Sequence, residues 1–304
     1  MRTPFQLNNI EERILKAVHD LGCLTLEDIL RLLGLPNRSR SSTGRTLWKL
    51  CGGRDYDPQQ FLYRFPLPIA KIGAKERVYC LGAKAREVIA VDGSYRLIKF
   101  RYLSYSPLLH DLMLSRFMVL ATTYFHTHHV YQLLETRLSY QLARTPPRIT
   151  VNTQGEDVTI TVIPDAWLHI ERVKDGEEFP LWLEIDRGTE NRQKFQRLVR
   201  NRLTLINSPQ YEQFFHTSIV LFCYVVTEEI SEQGDTRLYN MRRWIEDVLS
   251  DMFSEDKQAE WASLFRFTTV SYETLYEEAD RLFTQPVWYQ PDSPDPVWLF
   301  DPNT

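Results

Sequence analysis

"LWLEIDRGTE" (residues 181–190) begins as a buried strand and ends in charge. Leu181, Trp182 and Leu183 suit a core, yet Glu184 and Asp186 follow directly. Residues two apart in a strand share a face. Two carboxylates side by side repel each other and lose hydration on burial. Such a pair needs a compensating partner, either a bound cation or a neighbouring arginine such as Arg187.

Outward from this stretch the pattern is that of an α/β domain. Upstream, "ITVNT" and "DVTITVIPDAWLHIE" are β-rich, and Asp165 sits at a strand end in "PDAW". "KDGEE" is a turn into the strand "FPLWLEID". Downstream, Thr189 is placed to cap a helix over 190–206, with Phe195, Leu198, Val199, Leu203 and Ile206 inward. The continuous apolar run 217–227 predicts a central strand covered on both faces. Residues 236–253 predict an amphipathic helix, "FRFTTVS" a last strand and 272–283 a further helix. The tail, rich in Pro, Asp and Trp, reads as irregular. Upstream again, 110–125 is a long apolar helix, and "VYQLLETRL" (130–138) fits strand or helix equally.

The first third of the chain differs. Asn8 and Glu11 form a capping box for a helix ended by Gly22, with Ile10, Ile14, Val18 and Leu21 on one face. Thr25 and Asp28 do the same for a second helix, whose buried face is Leu26, Ile29, Leu30 and Leu33 and whose stop is Gly34. Residues 40–51 form a third helix on a Thr43, Leu47, Leu50 stripe. Two β-like runs, 61–71 and 76–82, follow with Gly73 as their turn. Three short helices and a hairpin are the plan of a winged helix-turn-helix, in which the third helix reads the major groove. The opposite face of that helix region offers Arg38, Arg40, Ser41, Ser42, Arg45 and Lys49, which suit phosphates and base edges. The hairpin adds Arg64, Lys71, Lys75 and Arg77. Trp48 is the one aromatic side chain on that helix.

Charge supports the division. The 304 residues carry a net charge of −4, but residues 1–105 hold 18 Lys and Arg against 10 Asp and Glu, leaving 18 against 30 for the rest. A basic DNA-binding module (1–105, with a connecting segment from 84) thus precedes an acidic domain (106–304) with a C-terminal extension. No run of about 18 apolar residues exists, so no membrane span is expected. The N-terminus lacks the apolar core of a signal peptide. Four scattered cysteines without a CxxC pair read as reduced thiols in a cytoplasmic protein. Phosphate-binding glycine motifs and a nucleophile elbow are missing. His126, His128 and His129 lack the spacing of a zinc site and read as a solvated helix end. His110–Asp111 lacks the further motifs of a phosphohydrolase.

Carboxylates converging from neighbouring strands are one way to hold Mg²⁺ or Mn²⁺, whose charge relieves their repulsion. Asp165, Glu184 and Asp186 are the candidate ligands. Such an ion can activate water against a phosphodiester. "RVYCLGAKAREVI" (77–89), "PDAWLHI" (164–170) and "FPLWLEIDRGTE" (179–190) resemble the replication-relaxation family of plasmid and mobile-element proteins, over roughly residues 8–225. That resemblance implies an α+β chain: a winged helix followed by a PD-(D/E)XK restriction-endonuclease-like domain with a mixed central sheet. It implies Asp165 and Glu184 as the motif acids. The lysine expected two residues after the Glu is replaced by Asp186, so a catalytic base would have to come from the following helix, with Lys194, Arg197 or Arg200 available. Two functions follow as expectations. One is a DNA-binding protein of a mobile element that nicks DNA with Mg²⁺ or Mn²⁺. The other is a non-enzymatic winged-helix regulator whose degenerate nuclease-like domain binds a partner or a second copy. Double-stranded DNA is the expected partner in both.

Overall fold

The computed structural model describes residues 7–55, 57, 59–66, 77–89, 105–153, 156–186, 188, 190–227 and 234–300. The chain forms two compact units, residues 1–123 and 124–304.

In the first unit, α1 (Asn9–Leu21) begins with the Asn8/Glu11 capping box and closes at Gly22. β1 (Leu24–Thr25) leads into α2 (Leu26–Leu32), capped reciprocally by Thr25 and Asp28. Ile29 and Leu30 of α2 are buried, while Leu26 and Leu33 are only half-buried. A 3₁₀ turn (Asn37–Ser39) precedes α3 (Arg40–Leu50), which buries Thr43, Leu47 and Leu50 as its spacing requires. β2 (Leu62–Pro66) and β3 (Arg77–Leu81) pair antiparallel. The two-residue β1 was not expected. It pairs with β3 and completes a three-stranded sheet of order β1-β3-β2. A strand that short has no period of its own to read. Gly73, Lys71 and Lys75 lie outside the described residues. α4 (Arg86–Ile89) follows the sheet.

α5 (Tyr105–Thr127) is longer at both ends than its apolar run suggested. Residues 105–123 of this helix belong to the first unit. Its polar side chains explain the attachment. The Ser115 hydroxyl donates to the Leu21 carbonyl at 2.6 Å, and Arg116 Nε lies 3.3 Å from Asp28 Oδ1. Asp28 and Arg116 are both buried, so the carboxylate that caps α2 also anchors α5. Despite its length, α5 does not reach the apolar content of a membrane span, nor does any other helix among the described residues.

In the second unit, β4 (Tyr131–Leu138) resolves the helix-or-strand ambiguity in favour of strand. α6 (Ser139–Leu142) follows. β5 (Arg148–Thr153) and β6 (Glu156–Thr161) form a separate two-stranded ribbon, which breaks at Pro164 from β7 (Ala166–Arg172). β8 (Glu177–Asp186), α7 (Arg192–Ile206), α8 (Pro209–Phe215), β9 (Leu221–Thr227), α9 (Gly234–Met252), α10 (Glu255–Ala262) and β10 (Phe265–Val270) come next. α11 (Ala279–Thr284), β11 (Trp288–Tyr289) and β12 (Pro296–Val297) end the described chain. The tail is therefore not irregular: its two short strands extend the sheet.

The sheet is mixed and has seven strands, in the order β12-β11-β10-β9-β8-β7-β4. Its centre, β8-β9-β10, is parallel, and both flanks are antiparallel. Parallel neighbours require crossovers, supplied by α7–α8 and α9–α10. One face packs Trp167, Trp182, Phe222 and Phe265 against Phe195, Val199 and Leu203 of α7 and Met241, Ile245 and Val248 of α9. Elsewhere in this unit, an aromatic cluster joins Phe125, Tyr131, Phe179, Phe283 and Phe300, so the chain's last described residues are core. Because strand residues alternate, Trp182, Glu184 and Asp186 share the face that meets α7 and α9.

The Asp28–Arg116 pair yields a stability test. Arg116→Met removes the arginine from a buried carboxylate, and urea unfolding should show a loss of about 3–5 kcal/mol. An unchanged midpoint would show that the pair does not hold α5.

Candidate functional site

α3 presents its polar face outward because Thr43, Leu47 and Leu50 fix the opposite face in the core. Ser41 and Arg45 are exposed at helical spacing along that outward face, and Arg38 is exposed on the 3₁₀ turn just before it. No ion pair to Arg38 or Arg45 is found among the described residues. Ser42 is exposed, but its hydroxyl donates back to the Ser39 carbonyl at 2.9 Å. Arg40 pairs with Glu27 of α2 at 2.8 Å, on the surface, where such a bond is weak.

The other expected contacts are committed within the unit. Lys49 Nζ sits 2.8 Å from Glu11 Oε1, and that carboxylate is buried. Burial alone would raise the Glu11 carboxyl; bonds from Lys49 and the Asn8 N–H outweigh it and hold the pKa below its usual value. Arg64 Nε lies 2.5 Å from Asp55, with Arg77 at 3.7 Å from the same oxygen. The Arg64 guanidinium also covers the Trp48 ring at 3.7 Å. Trp48 remains 42% exposed. Lys49, Arg64 and Arg77 are thus structural cations first. Asp55, in the loop after α3, is the partner that the sequence reading passed over.

The strand-end carboxylates each have a specific partner. Asp165 stands one residue beyond the Ala166↔Leu183 pair, which places it across from Glu184. Its Oδ2 accepts the Ile185 N–H at 2.9 Å. Glu184 Oε1 accepts Trp182 Nε1 at 2.7 Å and lies 2.7 Å from Arg202 Nη2. Arg202, on α7, also donates to the Tyr224 hydroxyl at 2.7 Å. Tyr224 is the β9 register partner of Glu184, so one row of the sheet carries the whole network. Burial pushes the Glu184 carboxyl up to about 8; Arg202 draws it down only in part, and Asp165 adds to the rise. Asp186 receives both nitrogens of a fork from Arg237 of α9, at 2.9 Å each, and the Gly188 N–H at 3.1 Å. Gly188 has φ +65°, a turn conformation that glycine adopts without strain. Arg237 also donates to the Glu190 carbonyl, which fixes the chain leaving β8.

The helix after β8 is capped by Asn191 rather than Thr189, and starts two residues later than expected. Lys194 therefore falls in its first turn, half-exposed, with its ammonium 3.0 Å from Glu190. Asp165 and Glu184 are brought together; Asp186 is drawn to Arg237, and Lys194 to Glu190. Among the described residues no three His, Cys, Asp or Glu side chains stand so that they could hold a metal ion. Asp165 Oδ2, Glu184 Oε1 and both Asp186 oxygens already accept bonds from arginines, an indole or backbone N–H groups. Held this way, Glu184 and Asp186 would have to release their arginines to ligate Mg²⁺ or Mn²⁺. His128 stacks on Tyr124 at 4.1 Å, and His110 meets Asp111 at 3.4 Å, so neither departs from a structural role.

Arg202 and Arg237 were missed. Arg202 could have been found, because it occupies the inward face of α7 beside Val199 and Leu203, where only a buried acid would accept it. Arg237 lies 51 residues from Asp186, and their meeting depends on the β8-β9-β10 topology.

A family model described as replication-relaxation matches residues 15–218. No match was found among curated proteins or among solved structures.

Two measurements test this geometry. Arg237→Met should cost about 3–5 kcal/mol in urea unfolding, because Asp186 is left buried without its fork. Equal stability would refute the lock. For Glu184, the folded chain holds the proton above the ordinary value of 4.5 and up to about 8. Folding takes up a proton in that window, so this contribution is full below about 4.5 and falls as pH rises toward 8. The wild type minus Glu184→Gln difference in unfolding free energy should show that decline; a flat difference would contradict it.

Proposed function

The chain belongs to the replication-relaxation family, and on that premise we propose that it is a DNA-binding accessory protein acting in the replication or transfer of a mobile element. In this reading the first unit is a winged helix: α1–α3 carry the helix-turn-helix, β2–β3 the wing, and α3 enters the major groove. The second unit is a restriction-endonuclease-like domain that has lost cleavage and acts as a platform for a partner protein or a second copy.

One observation carries the DNA reading. Ser41 and Arg45 line the exposed face of a helix whose other face is fixed in the core, Arg38 is exposed on the 3₁₀ turn that leads into it, and the two guanidiniums have no acidic partner among the described residues. Phosphate neutralisation by such side chains supplies most non-specific affinity. Reading α3 as the groove helix also gives Trp48 a place at the interface, since its ring is exposed beside them.

The non-enzymatic reading of the second unit rests on Arg202 and Arg237, which occupy the acids that a nuclease would give to a metal. Asp186 in place of the motif lysine points the same way. No nicking step is derived.

Full-length protein should bind duplex DNA with an affinity that falls steeply with salt. Arg38→Ala and Arg45→Ala should each weaken it and flatten the salt slope by about 0.9 per lost phosphate contact. Lys174→Ala, an exposed change in the second unit, should leave it unaltered. Lys49→Ala should lower stability more than binding, because Glu11 loses its base. Equal effects of Arg45→Ala and Lys174→Ala would overturn the assignment of α3. Supercoiled plasmid with Mg²⁺ or Mn²⁺ should stay supercoiled, and nicking that Asp165→Ala abolishes would restore the enzymatic reading.

A further inference from the structure

The second unit contains a cleft of about 360 Å³ beside the carboxyl-terminal half of β10. Tyr239 and Arg242 reach it from α9, Thr268 and Thr269 from β10, Arg281 from α11 and Tyr289 from β11. The ends of parallel strands are a recurrent ligand position in open α/β sheets. None of these residues takes part in the α3 surface or the carboxylate network.

Its chemistry is cationic and aromatic. Arg242 Nε donates to the Gln290 carbonyl at 2.7 Å, and Nη2 donates to the Ser293 carbonyl. These neutral acceptors position the guanidinium without cancelling its charge. Glu246, one turn along, feels that charge but makes no hydrogen bond to it among the described residues. Arg281 is aimed by Glu278 through Nε at 3.1 Å and donates to the Thr269 carbonyl from Nη2 at 3.3 Å. An arginine has five N–H donors. Nη1 of both arginines has no bond among the described residues. Two guanidiniums and no carboxylate line the cleft itself, with Glu278 bonded to one and Glu246 near the other. Tyr239 is 55% exposed, with the Arg243 guanidinium 5.8 Å from its ring centre. Tyr289 backs Arg242, whose guanidinium lies 5.3 Å from its ring.

Guanidiniums with free donors suit a phosphate, and an exposed ring suits a base. The volume is at the small end of ligand sites, enough for one nucleotide and too little for a dinucleotide. We propose that this cleft binds a single nucleotide, its phosphate on Arg242 and Arg281 and its base against Tyr239, either free or as the phosphorylated end of a DNA strand.

Isothermal titration of the full chain with deoxythymidine monophosphate, inorganic phosphate and a four-thymidine oligonucleotide, with and without a 5′-phosphate, tests it. The mononucleotide or the phosphorylated oligonucleotide should bind, and better than inorganic phosphate. Binding of the phosphorylated oligonucleotide alone identifies a strand end, and binding of the mononucleotide alone a free nucleotide. Arg281→Gln should weaken binding about tenfold or more. Tyr239→Ala should weaken nucleotide binding roughly tenfold and leave inorganic phosphate unchanged. It alters an exposed side chain, so it remains informative if Arg281→Gln does not fold. Arg45→Ala should have no effect, which separates this cleft from duplex binding by α3. No binding of either nucleotide form, phosphate binding alone, or affinity unchanged in both cleft variants would overturn the proposal.

Discussion

Arg202 meets Glu184 at 2.7 Å where neither side chain has much access to water. The contact ties α7 to the middle of the sheet, and through the Tyr224 hydroxyl it also ties β8 to β9. A buried carboxylate needs more than one donor, and Trp182 supplies the second from its own strand. Buried rings packed on its partners, Phe222 on Trp182 and Phe195 on Tyr224, exclude water and so make the polar contact costly to break.

The same solution recurs in both units. Asp186 is answered by Arg237, Asp28 by Arg116 and Glu11 by Lys49, each base coming from a different element than its acid. Buried pairs of this kind add little net stability over apolar packing, but losing one partner is severe. They therefore favour one arrangement of helices over others. The consequence for function is a separation of charges. Glu184 and Asp186, two of the acids that could have formed a metal centre, are held by cations, while Arg38 and Arg45 stay outside these pairs, on the 3₁₀ turn and on α3.

Much of the first unit was legible because its signals are local. The Asn8/Glu11 and Thr25/Asp28 boxes and the Thr43, Leu47, Leu50 stripe each lie within one helix, and each appears where the spacing puts it. The shared face of Glu184 and Asp186 was legible for the same reason, as a period of two. The failures are non-local or too short. β1 has two residues, and β11 and β12 depend on a sheet edge built elsewhere. Thr189 resembled a cap, yet Asn191 supplies the bond to the Lys194 N–H. The basic residues were read as a DNA surface from the winged-helix plan, from their place opposite the apolar stripe of the third helix, and from charge. Charge cannot show that Asp55 takes Arg64 and Arg77, or that a buried Glu11 takes Lys49.

The central claim is that arginines, not a metal ion, compensate the acids at the end of β8. Crystals soaked in Mn²⁺ and measured at the manganese edge test it most directly. The account predicts no anomalous peak beside Asp165, Glu184 or Asp186, with Arg202 and Arg237 still on their carboxylates. A peak with two or more of these oxygens at about 2.0–2.6 Å, and either arginine displaced, would contradict it.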